Sequence, residues 1–170
     1  MVSDIQRAWE LLEAVPDPEI PVVSIRELGI LRDVRQRGDG LEVVLTPTYS
    51  GCPAIGQIED DVRHALARHG LSATVTTQLA PAWTTDWITE AAKDKLRAYG
   101  IAPPQPVRVA PTPGKVVQLV RKRADADCAV PCPQCGSRDT TETSHFGSTA
   151  CKALYKCLAC LEPFDYFKPY

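Results

Sequence analysis

Two cysteine pairs near the C-terminus, Cys132-x-x-Cys135 and Cys157-x-x-Cys160, carry the strongest chemical signal in the chain. A C-x-x-C on a tight turn can aim both sulfurs at one ion. Two such turns brought together supply four thiolates, the tetrahedral set that suits Zn(II). Residues 136–156 between them exceed the usual spacing for this pattern, and a longer β-hairpin between the turns would absorb the excess. "CPQCGSRDT" also reads as a zinc-ribbon knuckle, with Pro133 and Gly136 shaping the turn. Four thiolates hold iron–sulfur clusters as well; spacing favours zinc and leaves the cluster open. Plain burial does not explain the four, because a module of about 40 residues buries too little apolar surface to fold unaided. A bound metal supplies the missing stability. Cys128 and Cys151 are surplus to this set and read as small buried hydrophobes, or as alternative ligands beside the site. His145 could substitute as a ligand, but a surface or hydrogen-bonded histidine is the simpler reading.

A second setting is "TYSGCPAIGQ", where Cys52 stands far from the other cysteines. Pro53 fits the first turn of a following helix. Unpaired N–H groups and the helix dipole stabilise a thiolate there, so Cys52 is expected to be more acidic than an ordinary thiol. A buried structural cysteine is the equal competitor. The "DPEIP" segment places Asp17 and Glu19 in a proline-framed loop whose carboxylates could hold a metal or a partner's cation; a solvated loop that only reverses the chain is the bland alternative. Trp83 and Trp87 are expected to be core or docking residues, and "EDDVRHALARH" a solvated helix face.

The elements that must position these groups follow from capping, periodicity and breakers. Ser3 with Gln6 is a capping-box pattern, and Ile5, Ala8, Trp9 and Leu12 share one face, predicting a helix from about Asp4 to Val15. "ILRDVRQR" and "LEVVLT" around "GDG" read as a hairpin. Ile55, Ile58, Val62 and Leu66 form the stripe of a second helix stopped at Gly70. "SATVTTQL" reads as a third strand, and "TTDWITEAAKDKLRAYG" as a third helix capped near Thr85 and ended by Gly100. The order α, β, β, α, β, α describes an α+β domain: a small three-stranded sheet packed by about three helices. The expected layout is an assembly-like domain over 1–104, a proline-rich connector over 105–127 and a zinc-ribbon-like module over 128–170. "KVVQLV" within the connector could pair as a short strand.

Composition narrows the class. The chain has 170 residues, 44% hydrophobic and 24% charged, with a net charge of −2, so no basic excess points to nucleic acid. No apolar run approaches the roughly 18 residues of a membrane span, and "MVSDIQRAWE" lacks the basic and apolar regions of a secretory signal. A cytoplasmic location is the expectation. Seven cysteines in a reducing compartment read as metal ligands or reactive thiols before disulfides.

"VPDPEIPVVSIRELGIL", "LTPTYSGCPA" and "PAWTTDWITEAAKDKLRAYGIAPP", spanning about residues 5–104, resemble the iron–sulfur assembly domain family that includes SufT-like proteins. In that family the D-P-E loop and the G-C-P cysteine are distinctive, which here are Asp17, Pro18, Glu19 and Cys52. The resemblance implies maturation of iron–sulfur or other metal centres, with Cys52 as a candidate iron or cluster ligand. With its cysteine-rich tail the chain resembles the PaaD family, a component of the phenylacetyl-CoA epoxidase system of aerobic phenylacetate catabolism. That system has a di-iron oxygenase and a reductase with flavin and an iron–sulfur cluster. This chain lacks paired Glu-x-x-His helices, a G-x-G-x-x-G fingerprint and the plant-type ferredoxin cysteine spacing, so no catalytic activity of its own is expected. Three functions remain open. One is a maturation factor that passes iron or a cluster to the oxygenase or reductase, with the assembly machinery as a further partner. The second is a structural or regulatory subunit without metal transfer. The third is a thiol enzyme in which His64 or His69 serves Cys52 as base.

Overall fold

A computed structural model of the chain describes residues 3–105 and 129–170. The expected connector lies almost wholly outside the described residues, as do "KVVQLV" and Cys128. The chain divides into two compact units, Met1–Tyr99 with Tyr170, and Gly100–Pro169.

In the first unit, helix α1 (Asp4–Glu13) starts where the Ser3 hydroxyl accepts a bond from the Gln6 N–H. It ends two residues before the expected Val15, because Val15 turns inward to the core. Strands β1 (Leu31–Arg37) and β2 (Gly40–Leu45) form the antiparallel hairpin, in register Arg35 to Glu42 and Val34 to Val43. Helix α2 (Ile55–Ala67) buries Ile58, Val62 and Leu66. Strand β3 (Ala73–Thr77) then pairs parallel to β2, giving the sheet order β1-β2-β3. A parallel partner requires such a helical crossover. Irregular chain between α1 and β1 adds Ile20, Val23, Ile25, Leu28 and Ile30 to the core.

The third helix departs from expectation. Thr84 caps a short 3-10 turn (Thr85–Trp87), Ile88 is extended, and α3 runs Glu90–Tyr99. Ile88 is buried, and Thr89 restarts the helix by accepting from the Ala92 N–H. Burying Ile88 outweighs the continuous local propensity. Trp83 lies in the core, its indole donating to the Leu28 carbonyl at 3.0 Å. Trp87 is half-buried under the Arg32 guanidinium, 3.5 Å from the ring centroid.

The second unit is a four-stranded sheet of order β4-β7-β6-β5. Strands β5 (Thr140–Ser144), β6 (Lys152–Cys157) and β7 (Pro163–Phe167) are successive antiparallel neighbours, and β4 (Ile101–Ala102) joins β7 in parallel. The described residues are thus α+β: a three-stranded sheet with three helices in the first unit, and a four-stranded ribbon sheet in the second. No helix among the described residues is long and apolar enough to cross a membrane.

Candidate metal centre

The β5–β6 hairpin separates the two C-x-x-C turns and folds one back toward the other. In the first turn the Cys132 N–H donates to the Ser137 carbonyl at 2.9 Å, and Gly136 takes φ +74°. The second repeats this: the Cys157 N–H donates to the Glu162 carbonyl at 2.9 Å, and Leu161 takes φ +68°. Two turns of one conformation therefore face each other. The four sulfurs of Cys132, Cys135, Cys157 and Cys160 lie within 4.8 Å of one another. Cys132 Sγ is 3.8 Å from Cys160 Sγ, and Cys135 Sγ is 3.6 Å from Cys157 Sγ. A tetrahedral ion with metal–sulfur bonds of about 2.3 Å sets its sulfurs about 3.8 Å apart. The arrangement fits one such ion, and it leaves little room for the extra atoms of a polynuclear cluster.

Burial divides the set. Cys132 and Cys157 belong to a core with Ala102, Val130, Phe164 and Tyr166, while Cys135 and Cys160 are exposed. Local electrostatics divide it too. The Cys160 N–H, 3.4 Å from Cys157 Sγ, and the Ala159 N–H outweigh desolvation and draw the Cys157 thiol down to about 6. Cys160 moves up to about 12. The Glu162 backbone N–H favours its thiolate, but desolvation and the sulfurs of Cys157, Cys135 and Cys132 prevail. Four thiolates cannot share this space without a cation to offset their repulsion. A divalent ion removes the conflict, as the donor set requires for tight binding.

Among the described residues this is the only group of three or more Cys, His, Asp or Glu side chains able to share an ion. Cys151 is buried elsewhere, with the Thr149 hydroxyl 3.0 Å from its sulfur. His145 is exposed and pairs with Glu142 at 3.1 Å. Neither joins the four sulfurs.

Cys52, Asp17 and Glu19 do not form a comparable three-ligand group. Cys52 is half-buried, and its carbonyl accepts from the Ile55 N–H at 3.4 Å, closing a turn over Pro53 and Ala54. The helix begins at Ile55 with Ala54 as its cap, so Pro53 precedes the helix rather than opening it. Proline suits the second position of such a turn. Asp17 is buried, and its Oδ1 accepts from the Glu19 and Ile20 N–H groups at 2.9 and 2.8 Å. Those bonds make Asp17 the organiser of the acidic loop. Glu19 is half-buried beside it.

Glu42 belongs to no motif and escapes a search by residue spacing. It is buried within β2, yet it takes Arg35 at 2.8 Å, Arg37 at 2.9 Å and Thr76 at 2.9 Å, tying all three strands together. The Arg35 hydrogen bond above all, then that of Thr76, holds its carboxyl below the usual range.

Comparison with known proteins places both units. Residues 5–77 match the family described as iron–sulfur cluster assembly protein. Residues 118–168 match the PaaD zinc beta ribbon domain. A protein of Escherichia coli (strain K12), named as a component of 1,2-phenylacetyl-CoA epoxidase, is 47% identical over 165 residues, covering 96% of this chain and 92% of that protein. The chain belongs to the PaaD family. PaaD-like architecture thus combines a ribbon with an assembly domain, and the latter has relatives of its own. The iron–sulfur protein maturation auxiliary factor YitW of Bacillus subtilis (strain 168) is 37% identical over 89 residues, covering 52% of this chain and 80% of that protein. The crystal structure of a DUF59 domain from Bacillus anthracis matches 55% of this chain and 91% of its own length, at 31% identity and a TM-score of 0.51.

Proposed function

We propose that this chain is an accessory, maturation subunit of a phenylacetyl-CoA epoxidase system in aerobic phenylacetate catabolism. It handles iron or an iron–sulfur cluster for the oxygenase or the reductase, in the cytoplasm, and performs no catalysis alone. The observation that carries this reading is the union of a cluster-assembly domain and a PaaD ribbon on one chain, with an epoxidase-component relative along nearly its full length. Zinc is the resident ion of Cys132, Cys135, Cys157 and Cys160, and it stabilises the ribbon. The iron or cluster is cargo. Cys52 binds it transiently as a soft thiolate, with Glu19 as a candidate carboxylate on the loop that Asp17 organises. Partners are the epoxidase components and the assembly machinery that loads Cys52.

A second reading, a structural or regulatory subunit without metal transfer, draws support from Asp17. Its Oδ1 is engaged by two backbone N–H groups, and Cys52, Asp17 and Glu19 do not make a three-ligand group. Anaerobic reconstitution with iron and sulfide, followed by metal analysis and absorption spectra, separates the two. A chromophore present in wild type and absent in Cys52→Ser, with zinc retained in both, is expected. Retained zinc with no chromophore in either protein would establish the second reading. Epoxidase components produced without this protein should accumulate without activity; full iron and full activity would end the maturation role.

A further inference from the structure

The two knuckles share one backbone conformation but not one residue type at its demanding position. Gly136 occupies φ +74° in the first, and Leu161 occupies φ +68° in the second. Leu161 is the only non-glycine with positive φ among the described residues. A branched apolar side chain is strained there, because its Cβ crowds the backbone. Core packing does not compensate for the strain: Leu161 is 64% exposed and Leu158 48% exposed. From Leu158 to Pro163 every residue is exposed, the metal-ligand candidate Cys160 among them. The second knuckle therefore bears two separate costs at one spot, backbone strain and two leucines in water. A local outlier of this kind points to a function outside the fold itself.

Charge identifies the kind of surface that would cover it. A zinc ion with four thiolates carries a net charge of about −2. Asp139 and Glu162 lie along the knuckle sequences, offset by Arg138 and Lys156. The centre's own negative charge is left, at a site where Cys135 and Cys160 are exposed residues.

We propose that the second knuckle, Leu158–Glu162, docks this protein on its client by placing Leu158 and Leu161 in an apolar pocket rimmed by lysine or arginine. The inference rests on the accessory reading above and names the surface that serves it. Buried leucine anchors supply the affinity, and the basic rim meets the anionic zinc centre.

The test uses the full zinc-loaded chain and the purified oxygenase and reductase components of a phenylacetyl-CoA epoxidase, with affinity measured by titration calorimetry. Leu161→Gly removes both the side chain and the strain. It should keep or raise the thermal midpoint of the ribbon, keep full zinc, and weaken binding about tenfold or more. Leu158→Ser should weaken binding similarly, and wild-type affinity should fall as salt is raised. Unchanged affinity in both variants, alongside clear wild-type binding, overturns the docking surface and leaves the accessory reading standing. Wild-type protein that binds neither component overturns both. A wild-type dimer abolished by Leu161→Gly, with no client binding, would assign the knuckle to self-association and overturn the proposal.

Discussion

The ribbon's asymmetric burial makes its four cysteines unequal, and the inequality has a size. Cys157 is fully buried in a small core, whereas Cys135 is exposed. Replacing either by serine removes one thiolate from the metal, which costs both variants zinc affinity. Cys157→Ser must also hide a hydroxyl among Val130, Phe164 and Tyr166. Its C–O bond is shorter than C–S and draws the oxygen back from the Cys160 N–H that lies 3.4 Å from the sulfur, so burial costs about 1–3 kcal/mol. In Cys135→Ser the new hydroxyl stays in water and incurs no such cost. Because the ribbon folds as it binds metal, the buried hydroxyl appears in the apparent zinc affinity. Cys157→Ser should therefore bind zinc more weakly than Cys135→Ser by a factor of about 5 to 150. Competition against a chromophoric chelator measures this directly. Amide spectra should show ribbon resonances collapsing in chelator while those of the first unit, whose core is separate, keep their dispersion. Equal affinity losses in the two variants would refute the burial argument, and undiminished zinc in the Cys135→Ser, Cys157→Ser double variant would refute the ligand assignment itself.

Glu42 has a lowered carboxyl pKa, so its contribution is complete above the unfolded value near 4.5 and is lost as pH falls through the folded one. Denaturant midpoints should thus drop with acid in wild type and less steeply in Glu42→Gln; identical acid profiles would remove Glu42 from the sheet's stability. Gly29→Ala places a methyl 2.5 Å from Trp87 Cβ at φ +70°, and left-handed strain with overpacking should cost about 2–4 kcal/mol by urea unfolding.

Much of this was legible from local rules. Ser3 caps α1 as its pattern with Gln6 implies, and the stripe Ile58, Val62 and Leu66 faces the core. The "GDG" turn sets a hairpin whose register pairs Val34 with Val43. The departure in the third helix has a tertiary cause. Nothing local breaks "TTDWITEAAKD", but the core needs Ile88 and takes it in extended conformation. Asp17 reads as a metal carboxylate by type. Its bonds to the N–H groups two and three residues on are a turn pattern that Asp before Pro-Glu-Ile could have signalled. Glu42 was recoverable as well, since the hairpin register sets it directly opposite Arg35. The positive φ of Leu161 had no local signal. It emerges only when the second knuckle is seen to copy the first.

The two cysteine settings differ in what they can release. A site with four thiolates has every position of a tetrahedral ion filled, and its two inner ligands are part of a core. An ion held by four such ligands exchanges slowly, so the zinc proposed here would be structural. Cargo needs the reverse: few ligands from the carrier, an open position for the acceptor, and little folding energy at stake. Cys52, the proposed carrier, is compatible with those terms. It is half-buried, sits on a turn ahead of α2, and lies outside any three-ligand group among the described residues. A single thiol cannot hold a cluster alone, so the carrier role proposed for Cys52 requires the acceptor or the loading partner to complete the coordination. Under the proposed role, transfer would be an exchange between partner ligands around one retained thiolate. The ribbon, with its metal fixed, would then serve as the docking element proposed above.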